Sequence, residues 1–145
     1  MANPEPQLPL WRRWASYFFY AWGLSMTQWG LFTHERGFFG LARGSFGRAL
    51  GLRPSFAAAY LRRGVLLCRE LGEVAVGLED LDRAVACAPE WGEAYLQRGL
   101  VRRFHGDPQQ AAADLERFLA LEPGSPWGGE AANQLAQLRQ VTQEQ

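Results

Sequence analysis

The chain has 145 residues, 48% hydrophobic and 21% charged, with fifteen basic and fifteen acidic residues and no net charge at pH 7. That length supports one continuous core, and so large an apolar share argues against intrinsic disorder. The balanced charge argues against a surface for phosphate backbones, so nucleic acid is not an expected partner.

Residues 1–9, MANPEPQLP, read as a flexible Pro-rich lead. A helix is predicted over 10–36, and its stretch 14–33 carries no charged residue. Residues 10–22 are assigned as an aromatic helical extension, with Trp11, Trp14, Tyr17, Phe18, Phe19 and Trp22 as docking side chains. Trp29 and Phe32 continue the aromatic run; Arg12 and Arg13 flank it on one side, His34, Glu35 and Arg36 on the other. A helix apolar on all faces has to be buried in something.

Three readings of this helix compete. It is long enough for a transmembrane anchor, but Ser16, Ser25, Thr27 and Gln28 weaken its hydrophobicity. A cleaved signal peptide would need a small-residue cleavage site that is not evident. The third reading is an extended helix packed on a protein partner, on a second copy, at a membrane surface or on its own core; Trp and Tyr suit each. The expected location is cytoplasmic, with contact to a membrane surface or membrane complex through residues 10–33 as one of these readings.

Further helices are predicted over 38–52, 56–71, 74–88, 91–105, 108–121 and 127–143, and no stretch shows strand alternation. Leu78, Leu81, Ala84 and Val85 share one helical face, as do Leu115, Phe118 and Leu119. Residues 126–145 read as a capping helix and tail. Asn133, Gln134, Gln137, Gln140 and Gln143 make it polar, while Ala131, Leu135 and Leu138 can cover the preceding helices. A stacked array needs such a solvated end.

Landmarks recur every 34 or 35 residues. Gly30, Gly64 and Gly99 form one column, and Gly37, Gly72 and Gly106 another. Small residues follow at Ala42, Gly77 and Ala111, and large apolar ones at Phe46, Leu81 and Leu115. Ala49, Ala84 and Phe118 form the next column, and Pro54, Pro89 and Pro123 close each unit. One extra residue between Gly64 and Gly72 accounts for the change of spacing. The first glycines and the small residues let two helices lie close. The second glycines suit left-handed caps, and the prolines end each second helix.

These columns resemble the tetratricopeptide repeat family. Residues 92–125 look like one complete repeat, 57–91 like a second, and 23–56 like a more divergent third. The resemblance implies an all-α fold, a right-handed α-α superhelix of antiparallel helix pairs, acting as a scaffold or adaptor that binds polypeptides. It also implies pairing of Arg63 and Arg98 with Asp80 and Asp114, within a repeat or across neighbours as Asp80 with Arg98. The first unit departs, with Trp29 and Ser45 at those places, and is expected to pack by aromatic contacts.

On the inner face of such an array stand Thr27, Leu31, Leu61, Val65, Arg69, Leu96, Leu100 and Arg103, an apolar strip edged by arginines. It suits a segment with apolar side chains and an acidic group. Some members of the family clamp chaperone tails with Lys and Asn here. Val65 and Leu100 stand in place of the Asn, and the chain has no Lys, so that ligand is disfavoured.

No catalytic, cofactor or metal signature stands out. His34 and His105 lie near helix ends without paired-ligand spacing, and a phosphate loop of the GxxxxGK type cannot exist without Lys. Cys68 and Cys87 lack zinc-site spacing and are expected as small buried hydrophobes in a reducing compartment.

Overall fold

The structure, a computed structural model, describes residues 7–143; the first six residues of the expected lead and residues 144–145 of the expected tail lie outside the described residues. The described chain runs α1 (Leu10–Thr33), α2 (Arg36–Leu52), α3 (Ala57–Leu66), a π-helical turn (Leu67–Leu71), α4 (Val74–Cys87), α5 (Gly92–His105), α6 (Pro108–Leu121) and α7 (Gly128–Gln143). Helices α1 and α2, α3 and α4, and α5 and α6 pack as antiparallel hairpins stacked side by side, and α7 lies on α6.

Close approach within each hairpin rests on the first glycine column. A Cβ on Gly64 would stand 2.9 Å from the Gly77 carbonyl oxygen and 3.0 Å from Leu81. One on Gly99 would stand 3.1 Å from the Asp114 Cβ. In the first hairpin two aromatic rings fill the gap instead. A Cβ on Gly30 would meet Phe39 at 2.6 Å, and one on Gly23 would meet Phe46 at 2.7 Å. The first unit does pack by aromatic contacts, but Trp29 is not among them. It is half exposed, and Ser45 bonds its own helix at the Leu41 carbonyl (2.8 Å).

The prolines stand two residues past the ends of α2, α4 and α6, where a missing N–H costs nothing. Asp107 caps α6, accepting from the Gln109 N–H at 2.8 Å, with Pro108 in the first turn. The second glycine column behaves unevenly. Gly72 takes φ +72° and ends the π-helical turn in the left-handed conformation. Gly106 does not, with φ −145°. Gly37 is not a cap at all: α1 stops three residues earlier, at His34 (φ 58°), and Gly37 lies inside α2. The extra residue between Gly64 and Gly72 is absorbed by the π-helical turn, which widens the helix by one residue without breaking it.

The core continues from hairpin to hairpin. Phe46, Leu61, Leu81, Leu115 and Phe118 are fully enclosed, and Ala131, Leu135 and Leu138 of α7 close the last layer.

Candidate interaction groove

The paired charges hold the hairpins in register. Arg63 Nε and Nη2 each donate to one Asp80 oxygen at 2.7 Å. Arg98 forks onto Asp114 at 2.9 and 2.6 Å. Both carboxylates are buried, so each needs its cation. The Arg63 guanidinium is held above its ordinary pKa, chiefly by the hydrogen bond to Asp80. Pairing thus occurs within each repeat. The bridge across repeats differs from the expected one: Arg98 reaches Asp82, not Asp80, at 2.8 Å. Arg102, which sequence reasoning missed, joins the same network, donating to Asp114 at 2.9 Å and Asp82 at 3.0 Å. Its signal was legible as a second basic residue one turn after Arg98, facing a second acid two after Asp80.

The first helices of the hairpins line one side of the stack. Between α1 and α3 lies a hollow of about 200 Å³, bordered by Thr27, Leu31, Val65 and Arg69 with Gln28 and Arg62. Between α3 and α5 lies a larger one of about 430 Å³, bordered by Arg69, Gln97, Leu100, Phe104 and His105. Five of the eight strip residues therefore border these hollows. Leu61 and Leu96 do not: at 0% and 6% exposure they belong to the core. Arg103 is turned to α7, donating to the Gln134 and Gln137 side-chain oxygens. Phe104, 70% exposed, and Gln97 are groove residues that sequence reasoning overlooked.

Arg69 borders both hollows. It is exposed and has no hydrogen-bond or ion-pair partner among the described residues. Arg62, by contrast, pairs with Glu93 at 3.2 Å.

The aromatic helix divides into two faces. Tyr17 stacks edge-on to Phe56 (5.2 Å between ring centres) and accepts from Arg53 at 3.1 Å. Tyr20 lies 4.9 Å from Phe56, and Phe19 sits under the Arg48 guanidinium at 5.6 Å. Tyr17 and Phe19 thus pack onto their own chain, and α1 continues unbroken through Gly23. Trp11, Trp14, Phe18 and Trp22 point outward, joined by Trp29 and Phe32. No helix among the described residues is long and apolar enough to cross a membrane.

Cys68 is buried beside Gly77, and its thiol pKa is pushed up to about 11, first by burial and then by the Asp80 charge. Cys87 is exposed, contrary to the sequence expectation. Among the described residues no group of three or more His, Cys, Asp or Glu side chains could hold a metal ion.

A stack of antiparallel helix hairpins, with small residues at each crossing and a concave side lined by the first helices, is the tetratricopeptide repeat fold, and the chain has it. It superposes on the TPR domain of Arabidopsis OM64 with TM-score 0.74 at 23% identity, covering 87% of this chain and 98% of that one. The first TPR domain of Spaghetti (RPAP3), solved with the HSP90 peptide SRMEEVD, matches with TM-score 0.68 at 26% identity over 85% of this chain and 94% of that one. The Sgt2 TPR domain from Aspergillus fumigatus gives TM-score 0.73 at 18% identity over 89% and 80%. No protein-family model matches the chain, and none of the curated proteins compared with it does either.

Proposed function

We propose that this chain is a non-enzymatic protein-interaction module whose concave face takes a short polypeptide segment bearing apolar side chains and a carboxylate. The observation that carries this reading is Arg69, an exposed cation on the wall shared by two hollows whose other sides include Val65, Leu100 and Phe104. A carboxylate on Arg69 would form a charge-assisted pair, and flanking side chains would enter the hollows. A structural neighbour solved with an acidic peptide, the first TPR domain of Spaghetti (RPAP3), supports reading a fold of this kind as a peptide binder. Val65 and Leu100 make the present groove more apolar than one built to clamp a chaperone tail. A cytoplasmic location belongs to this reading.

Selection from a random-peptide display library on the immobilised chain tests it. The expected outcome is enrichment of peptides combining apolar residues with Asp or Glu, whose binding is lost in Arg69→Glu. Failure to enrich any peptide, or equal binding to Arg69→Glu, would refute the groove reading.

A second reading, a subunit docked through α1 onto another protein, is favoured by a separate observation: the outward row of aromatic side chains on that helix.

A further inference from the structure

Solenoid ends are ordinarily closed by a polar face, and α7 supplies one. Among the described residues, the outer side of α1 does not. Trp11, Trp14, Phe18, Trp22, Ser25, Trp29 and Phe32 follow one another on α1 at spacings of three and four. They therefore form a single row along roughly 31 Å of helix. Trp14 is 74% exposed and Phe32 79%, and the other aromatic members of the row are at least half exposed. Hollows open beside both ends of the row, one bordered by Trp29 and Phe32, the other by Leu10 and Trp14.

We propose that a second copy of this chain covers this row, the two α1 helices pairing antiparallel about a two-fold axis beside Ala21 and Trp22. The inference is independent of the groove.

The row has the symmetry that such a pair requires. Reversed about the midpoint of Ala21 and Trp22, Trp11 falls opposite Phe32, Trp14 opposite Trp29, and Phe18 opposite Ser25. A self-complementary patch is the defining property of an isologous interface. Spacings of three and four along one face are also those of closely aligned helix pairs. Ser25, the one small member, leaves room for the ring it would face. Parallel pairing would set Phe18 on Phe18 and Arg13 beside Arg13. Antiparallel pairing instead parts the two Arg13 side chains, setting each opposite position 30 of the other copy.

The area is sufficient. Six half- to four-fifths-exposed Trp and Phe side chains offer on the order of 700–900 Å² per copy at the usual size of such side chains. Wholly covered, that area would reach the roughly 800 Å² per partner of a standard stable interface. A lipid surface fits less well. Interfacial helices carry Lys or Arg beside the apolar face, whereas α1 has no charged residue between Arg13 and the end of the helix.

Detergent-free size-exclusion chromatography with light scattering, on the full chain at tens of micromolar, tests the proposal. The expected mass is twice the chain mass of 16.3 kDa. Trp22→Glu, which sets two carboxylates beside the axis at a half-exposed position, is expected to give a single-chain mass with unchanged helical circular dichroism. In a Cys87→Ser background, Ala21→Cys is expected to cross-link to itself on mild oxidation, and Trp11→Cys is not. A single-chain mass for the unaltered protein overturns the proposal. So does a dimer that survives Trp22→Glu, or self-cross-linking at position 11. Capture of single chains by phosphatidylserine-containing vesicles would assign the row to lipid instead, and likewise overturn it.

Discussion

The Arg63 guanidinium lies flat against the Asp80 carboxylate, two parallel hydrogen bonds of 2.7 Å joining the first helix of a hairpin to the second. Arg98 repeats the arrangement with Asp114 and extends it, through Asp82, to the preceding hairpin. The pairs thus join helices within two hairpins and connect those hairpins to each other. Because Asp80 is nearly enclosed, its removal strands a largely buried guanidinium.

Asp80→Ala should therefore destabilise the fold by about 3 kcal/mol, as when one partner of a buried pair is deleted. Removing Glu116, whose bridge to Arg139 is exposed on both sides, should cost under about 1 kcal/mol. Urea unfolding of the two variants checks the contrast. Equal effects would mean that the Arg63 pair does not hold the hairpin.

Glycine substitutions should change sign with position. A Cβ at Gly64 meets backbone across the hairpin, so Gly64→Ala should cost about 1–3 kcal/mol by overpacking. A Cβ at Gly40 or Gly44 meets nothing within 4 Å on the outer face of α2. Alanine there should stabilise by about 0.5–1 kcal/mol each, because glycine loses more backbone entropy in a helix. Thermal unfolding of single variants measures both.

The two thiols should separate cleanly. At pH 8 a thiol reagent should modify Cys87 promptly and Cys68 only on unfolding, since Cys68 is buried and resists ionisation. Its folded pKa near 11 lies above the ordinary 9.0, so the unfolded chain loses the proton first as pH rises. The Cys68 contribution is then level below pH about 9, and stability falls between about 9 and 11. Cys68→Ala should remove that part of the alkaline decline, and denaturant titrations at several pH values would read it.

Arg69→Ala should leave stability within about 0.5 kcal/mol, as an exposed side chain without partners among the described residues. It should weaken an acidic peptide by about tenfold or more, the loss of one charge-assisted contact. Calorimetric titration and urea unfolding of the same variant separate the two effects.

The repeat was legible because its columns perform local steric duties that few residues can perform. Only a missing side chain lets α3 approach α4 at Gly64, and Pro54, Pro89 and Pro123 stand where helices have ended. Other features leave no such mark. Any residue able to take the left-handed conformation can cap a helix, so His34 took the place expected for Gly37. The extra residue before Gly72 was visible as a count, but a count cannot say whether it becomes a loop or a widened helical turn. On the inner helices core and groove are both apolar. Periodicity therefore could not separate Leu61 and Leu96, which are enclosed, from Val65 and Leu100, which border hollows. On α1 aromatic residues occupy every face, and only the packing of Phe39, Phe46 and Phe56 against it divides Tyr17 and Phe19 from Trp14 and Phe18.

The concave face is the proposed seat of this chain's partner. The most direct measurement is amide chemical-shift mapping of the labelled protein titrated with a peptide enriched from the display library. Shifts are expected at Thr27, Val65, Arg69, Gln97, Leu100 and Phe104. Shifts on the outer row of α1 or on the glycine face of α2, with the concave face unmoved, would contradict this placement.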